Sequence, residues 1–404
     1  MATQETPRPE ADIPEGTAYR HPAQHPDAML TQVGPGTSMG ELMRRYWQPV
    51  LASRNVKTRP REIRILGEDL IVFRDGEGRP GLLYTRCMHR GTSLIWGHVE
   101  ADGIRCCYHG WKFAVDGQCL EQPCEPNPRQ CRPEHRQPWY PVRERYGLVW
   151  AYMGPPERMP ALPRFDAMEP LDDGEDYMAF DNSLGSHGDI NGPEVVPYSW
   201  LHMNDNVMDP FHVQVLHTTF SGTQFVREFE VMPTVRFDEI EAGVTYTAHR
   251  ELEDGRSMDR VSTWMMPNIM FVPDVAMRPG RPNGIGISVP VDDSHARIVM
   301  AMRIPGDARS RPMRGLEAEN FKPWHQRTFE ERQDQPGDYE AQAGQGPISL
   351  HSEEHLVTSD KGIGLQRRVL RRALETVAAG GDPPGLSFGE SAVVKVPSGN
   401  FFAG

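Results

Sequence analysis

All six cysteines of this 404-residue chain fall in one stretch, Cys87 to Cys131, with His89 and His109 among them and His135 four residues beyond. A disulfide framework spread through the fold is therefore excluded, and in a reducing compartment clustered Cys and His more often bind metal or carry catalysis. The length allows roughly two to three domains and a large core. At 38% hydrophobic and 25% charged residues the composition is globular rather than disordered. With 43 Lys+Arg against 56 Asp+Glu the formal charge is −13, which repels phosphate backbones and anionic lipid and argues against nucleic acid as a partner. No apolar run approaches the ~20 residues of a membrane helix, and the first ten residues lack a hydrophobic signal core. A cytoplasmic protein without a membrane partner is expected.

Residues 1–28, rich in Pro, Glu, Thr and His without an apolar period, are expected to form a mobile arm. Residues 29–153 carry a short helical period at 40–47 and strand-length apolar runs at 63–66, 70–73, 81–84 and 147–152, set off by Gly and Asp turn signals. They predict an all-β domain. Four prolines make 154–165 a linker, because proline removes backbone donors and fixes φ. Residues 166–385 read as a second domain with longer strands at 231–237, 243–249, 261–265, 284–291 and 296–302. A helical segment lies near 205–217, and an amphipathic helix at 365–378 turns Leu365, Val369, Leu370, Ala373, Leu374 and Val377 to one side. The stretch 333–346 reads as a loop near the end of a helix, and 386–404 as a tail. The fold class is α+β, with helices gathered on one side of an antiparallel sheet.

Two short motifs carry the first chemistry. Cys87-x-His89-Arg90-Gly91 and Cys106-x-Tyr108-His109-Gly110-Trp111-x-Phe113 place one thiol and one imidazole on each of two turns. Two thiolates and two imidazoles are the ligands of a Rieske [2Fe–2S] centre, where both Cys bind one iron and both His the other. Neutral imidazole in place of thiolate lowers the cluster's negative charge and raises its potential. A Cys₂His₂ zinc site uses the same residue types, but it usually pairs Cys with Cys and His with His along the chain. Cys119, Cys124 and Cys131, with His135, match no common zinc-finger spacing; with Cys107 they are expected to be loop or core cysteines. The two motifs resemble the Rieske domain of ring-hydroxylating oxygenases.

A second constellation follows about a hundred residues later. Asn206, Asp209 and His212 recur every third residue and share a helix face. His217 stands about 140° round from His212 on a straight helix, so a π-bulge or a helix end is needed to bring both imidazoles to one metal. Two His and a carboxylate on one face of an ion are the ligands of non-haem Fe(II) oxygenases. Read alone, Asp209 before Pro210 is equally a helix N-cap; an upstream electron carrier, which needs an acceptor, favours the metal. The run Asp205-Asn206-x-x-Asp209-x-x-His212-x4-His217 is similar to that family's signature. On that pattern His212 and His217 are iron ligands, Asn206 belongs to the same motif, and Asp209 bridges to the Rieske His of an adjoining subunit, accepting from ring N–H groups on both sides. Asp338-x-x-x-Gln342 followed by Gly346-Pro347-Ile348 resembles the segment that carries the carboxylate ligand in phthalate-dioxygenase-like members. Ala343 and Gly344 stand where that group usually has Glu-Ser, and Glu340 and Asp334 are rival ligands.

The resemblance runs from about residue 29 to 374. It implies the α (terminal oxygenase) subunit of a Rieske oxygenase, with a helix-grip catalytic domain, a mononuclear Fe(II), O₂ as co-substrate and a homotrimer, sometimes doubled to a hexamer. No Gly-x-Gly-x-x-Gly or other nicotinamide or flavin motif is present, so a separate NAD(P)H-dependent reductase, of flavin and ferredoxin type, is the expected donor. On the family pattern the electron passes through His109 and Asp209 to the iron of the next subunit. The expected reaction is dioxygenation, monooxygenation or oxidative demethylation of an aromatic compound. Residues 264–271 and 220–225 could wall a pocket, although a Met and aromatic stretch in a strand is more often simple core, and Arg227 or Arg278 could receive a substrate carboxylate, although a solvated surface Arg is the commoner reading for each. Two rivals from other classes are a Rieske electron carrier fused to an iron-free ligand-binding domain, and a zinc-stabilised interaction protein.

Overall fold

The computed structural model describes residues 23–181, 193–222, 225–305, 322, 324–389 and 392–403. Most of the expected N-terminal arm, residues 1–22, and positions 223–224 of the proposed apolar wall lie outside the described residues.

The N-terminal part is built from three small antiparallel sheets. Trp47–Ala52 pairs with Leu148–Tyr152, which pairs with Val142–Arg145. Arg61–Ile65, Glu68–Arg74 and Pro80–Tyr84 form a meander, and His98–Glu100, Gly103–Arg105, Lys112–Phe113 and Cys119–Glu121 form the sheet that carries the second motif. The central meander strand shows how the layers join. Its Leu70 and Val72 enter the large core shared with the C-terminal part, while Ile71 and Phe73 enter a smaller core that holds Cys87 and Cys106. Alternation across one strand thus makes it a wall between two cores. The hairpin before it turns through Leu66 and Gly67, both at positive φ, the geometry of a two-residue type I′ turn. The N–H groups of Leu66 and Gly67 donate to the carbonyls of Pro290 and Val291, fastening the turn to the second domain.

The C-terminal part is an eight-stranded antiparallel sheet ordered Glu175–Phe180, His295–Pro305, Gly284–Asp292, Ile269–Phe271, Ser257–Met265, Gly243–Glu251 and Thr234–Ile240, with Gly399–Ala403 paired to Ser257–Met265. Helix Lys361–Ala378 buries Val369, Leu370, Ala373 and Leu374 as its period requires. Gly362, in its first turn, meets the end of helix Trp200–Val207: a Cβ there would stand 2.4 Å from the Met208 carbonyl and 2.5 Å from the Phe237 ring. Only glycine allows that approach.

Three expectations need correction. The tail 386–404 is part of the fold, since Val393–Val394 pairs in parallel with Arg164–Phe165 and Gly399–Ala403 adds a strand to the large sheet. The linker 154–165 ends in that same strand and includes a 3₁₀ turn, Pro156–Arg158. The stretch 333–346 is no loop. Helix Phe329–Asp334 ends there, and after Pro336-Gly337 a second helix, Asp338–Gly344, begins, its first turn closed by Glu340 accepting from the Gly337 N–H. Both helices are short and poor in apolar residues, which hides their period.

Candidate functional site: two metal centres

The two cysteine–histidine turns have the same build. The Gly91 N–H donates to the Cys87 carbonyl at 2.8 Å and the Gly110 N–H to the Cys106 carbonyl at 3.1 Å. Both glycines have φ above +70°, which closes each turn around its cysteine. At Gly110 a Cβ would also come within 2.9 Å of Pro123 Cγ. Cys87 and Cys106 are buried while His89 and His109 are half-exposed.

Side-chain placement separates the donors by type. The two thiols lie beside each other, and burial together with Cys106 pushes the Cys87 thiol up to about 11. The two imidazoles stand edge to face, 4.6 Å between centroids. Cys beside Cys and His beside His, from loops that each hold one of both, is what a two-iron cluster requires. The four do not converge on one point: among the described residues, the group of three or more donors lying within 4.8 Å of one another is His212, His217 and Asp338. A mononuclear tetrahedral zinc site needs that convergence. The Cys87 thiol, buried beside Cys106, ionises at high cost without a cation, so the pocket suits iron rather than a free thiolate.

Groups absent from the sequence reading hold the loops. Gln137, fully buried, donates from Nε2 to the Tyr84 and Arg86 carbonyls and accepts from the Met88 N–H, all at 2.8 Å. Arg105 donates to the Gly110 carbonyl at 2.8 Å while paired with Glu100 and Glu121. Trp111 stacks on His89, with centroids 4.6 Å apart. Among these only Trp111 carried a sequence signal, through its motif.

The second centre begins on helix Trp200–Val207, capped by Ser199. The helix breaks at Asp209-Pro210, where the Asp209 carboxylate accepts from the Phe211 N–H at 3.0 Å. A short helix, Phe211–Gln214, then runs into a π-helical stretch, Val215–Phe220. In a π turn residues five apart stack, so His212 and His217 meet, 5.4 Å between ring centroids. Asp338, on the first turn of its helix, brings Oδ1 to 3.2 Å from His217 Nε2 and 3.6 Å from His212 Nε2. Asn206 Nδ2 donates to the same Oδ1 at 3.2 Å. Burial works to raise the Asp338 carboxyl, but the hydrogen bond and charge of His217, with His212 behind it, outweigh that and hold it below its ordinary value. His212 Nδ1 faces the Asp209 backbone carbonyl in a short hydrogen bond. Donation there leaves the Nε2 lone pair pointing at the common centre. Within the chain, then, it is the backbone of Asp209 that orients His212, where the carboxylate was expected.

Glu340 accepts from Trp324 Nε1 and the Gly337 N–H, and Asp334 is exposed at a helix end; neither joins the histidines. Trp264 is core, its Nε1 donating to Asn204, and Met270 and Phe271 are buried with it. Arg278 pairs with Asp274, and Arg227 is exposed. Phe225 does stand at the site, 4.8 Å from His217 between ring centroids. Behind the site, Asn206, Asp209, His202 and Asp205 line an open 340 Å³ cavity together with Arg367, which pairs with Asp205 and Glu354.

Comparison with known proteins agrees with both centres. The Rieske [2Fe-2S] domain family matches residues 46–141. The α subunit of phenoxybenzoate dioxygenase from Ectopseudomonas oleovorans is 52% identical over 96% of this chain and 94% of its own. The oxygenase subunit of the tert-butanol monooxygenase / tert-amyl alcohol desaturase from Aquincola tertiaricarbonis is 39% identical over 88% of this chain and 77% of its own. The crystal structure of dicamba monooxygenase bound to dicamba superposes with TM-score 0.60 at 18% identity, covering 84% of this chain and 99% of that one; it supports the fold. A β domain with two Cys-His turns, joined to a sheet domain with two His and an Asp, defines a two-centre oxygenase. The chain belongs to the Rieske non-haem iron oxygenases, as their oxygenase α subunit. It carries a [2Fe–2S] cluster and a mononuclear iron and uses O₂. Among the described residues no helix is long and apolar enough to cross a membrane.

Proposed function

We propose that this chain is the terminal oxygenase that draws electrons from a separate NAD(P)H-dependent reductase and uses O₂ to hydroxylate or oxidatively demethylate an aromatic substrate. The carrying observation is that His212, His217 and Asp338 bring donor atoms within 4.8 Å of one another in a chain that also builds the two Cys-His turns. We assign the cluster to Cys87, His89, Cys106 and His109, and the iron to His212, His217 and Asp338. Once bound, the cluster supplies electrons singly and the iron leaves open positions for O₂. The chain's own groups set the geometry. Asp209, through its carbonyl, fixes the tautomer of His212. Asn206 donates to Asp338 Oδ1 and so orients that carboxylate. Phe225 gives the His217 side an apolar face that excludes water. The Asp209 carboxylate, lining the open cavity behind the site, is placed to accept from the partner subunit's His109 in a homotrimer or a hexamer of two trimers.

The aromatic substrate follows the relative named for phenoxybenzoate, 52% identical; the one named for tert-butanol stands further off at 39%. The test is turnover under ¹⁸O₂ with NADH, a flavin–ferredoxin reductase and a panel of aryl ethers and aryl carboxylates. Expected is substrate-dependent O₂ uptake with label in the product or in released formaldehyde, lost in Asp338→Ala. Iron-replete protein that accepts electrons but labels no compound in such a panel would leave a Rieske carrier joined to a binding domain.

A further inference from the structure

A second cavity, of 560 Å³, lies at the seam between the two domains, beside the first cluster turn. The meander and the turn supply one wall, the large sheet the other, and none of its residues is shared with the cavity behind the iron site. Its lining holds three arginines, Arg64, Arg86 and Arg297, against two carboxylates, Glu62 and Asp69. That inverts the balance of a chain whose formal charge is −13.

The charges do not pair off. Asp69 is taken by Arg64, which donates to both its oxygens at 2.7 and 2.9 Å, and Glu62 accepts from Ser93 Oγ at 3.4 Å. Arg86 is exposed and, among the described residues, joins no ion pair. Arg297 is only 5% exposed. Its Nη2 stands 3.6 Å from Glu194 Oε1, but Arg61 holds that carboxylate closer, so two guanidiniums share one negative charge. Arg297 Nε and Nη1 have no hydrogen-bond partner, nor has the buried Oγ1 of Thr85 in the same lining. Burial, with Arg61 adding to it, holds the Arg297 guanidinium below its ordinary value, Glu194 and Asp181 countering only in part. A buried cation with idle donors is costly unless something completes it. Water would satisfy the donors and leave the charge; an anion satisfies both.

We propose that this cavity is an oxyanion site at the domain seam, taking an aryl carboxylate or inorganic phosphate between Arg86 of the Rieske part and Arg297 of the large sheet. A planar guanidinium fits the oxygens of either anion. The volume lies in the range that holds a small organic ligand, and Ile63, Val195 and Val291 in the lining give an aromatic ring an apolar wall. A ligand that touches both domains and has no seat in the unfolded chain stabilises the folded one. The site needs neither metal centre and goes beyond the function proposed above.

The test is calorimetric titration and the thermal midpoint of the holoenzyme with inorganic phosphate, benzoate and the uncharged analogue benzamide. Expected is one phosphate or benzoate per chain with a raised midpoint, and no such response to benzamide. Affinity should fall at least about tenfold in Arg297→Met and in Arg86→Gln, as loss of a charge-assisted bond implies. It should stay as in the parent in Asp338→Ala, which keeps the seam and loses the iron ligand. Without ligand, Arg297→Met should unfold no earlier than the parent, because an apolar chain replaces an under-compensated buried charge. Response to phosphate alone would assign the site to free phosphate, and response to benzoate alone to aryl carboxylates. No binding of either anion, binding that survives both arginine substitutions, or binding lost in Asp338→Ala would overturn the proposal. So would a lowered ligand-free midpoint in Arg297→Met with parent-like affinity in Arg86→Gln, which would make Arg297 a structural prop.

Discussion

Gly362 and Gly364 lie two residues apart in the first turn of helix Lys361–Ala378 and should answer an added methyl group with opposite signs. At 362 the nearest atoms to a Cβ are the Met208 carbonyl at 2.4 Å and the Phe237 ring at 2.5 Å. An alanine there forces the two helices apart by roughly 1 Å before ordinary separation is regained. Overpacking of that kind costs about 1–3 kcal/mol, against a helix-propensity gain of at most ~1 kcal/mol. At 364 a Cβ meets nothing within 4 Å, so only the gain remains, about 0.5–1 kcal/mol. Gly362→Ala should therefore lower the unfolding midpoint by about 2–8 °C and Gly364→Ala raise it by a few degrees. The strain falls on Met208, next to the Asp209 carbonyl that orients His212, so Gly362→Ala should also bind iron more weakly while keeping the cluster. Differential scanning fluorimetry with metal analysis reads both. Equal midpoints and full iron in the 362 variant would refute the close-approach argument.

Asp338→Asn should purify with the Rieske spectrum but with most of its mononuclear iron lost, whereas Glu340→Gln, which disturbs a helix cap and the bond from Trp324 Nε1, together worth about 1–2 kcal/mol, should keep it; metal analysis decides. Gln137→Ala strands the Met88 N–H and two carbonyls. It should destabilise the cluster turn by about 2–4 kcal/mol, seen as faster loss of visible absorption in chelator. His202, 2% exposed, is pushed down to about 4 by burial. The unfolded imidazole takes a proton near pH 6.5 while the folded one stays neutral, so stability present above pH 6.5 is lost as pH falls toward 4, by about 3 kcal/mol in all. Urea midpoints at pH 7 and pH 5 should differ less in His202→Gln than in the parent; an unchanged difference would contradict this.

Much of the site was legible because ligand chemistry is local. The two Cys-His turns and the His212–His217 pair are motifs, and the 140° mismatch on a straight helix already asked for the π stretch that Val215–Phe220 supplies. Asp338 was reached by resemblance, since its short helix has too little apolar period to announce itself. What stayed hidden depends on distant chain meeting: Gln137 bonds turns some fifty residues away, and Arg367 joins Asp205 and Glu354 across the fold. The tail was misread for the same reason. Residues Gly399–Ala403 are strand only because Ser257–Met265 offers them an edge.

The most direct test of the two-centre account is EPR of anaerobically reduced protein exposed to nitric oxide, with spins counted per chain. The account predicts a reduced Rieske signal and an S = 3/2 iron–nitrosyl signal in comparable amount, the second lost in His212→Ala and Asp338→Ala while the first persists. Iron-replete protein that shows the Rieske signal alone would contradict it and remove His212, His217 and Asp338 as ligands.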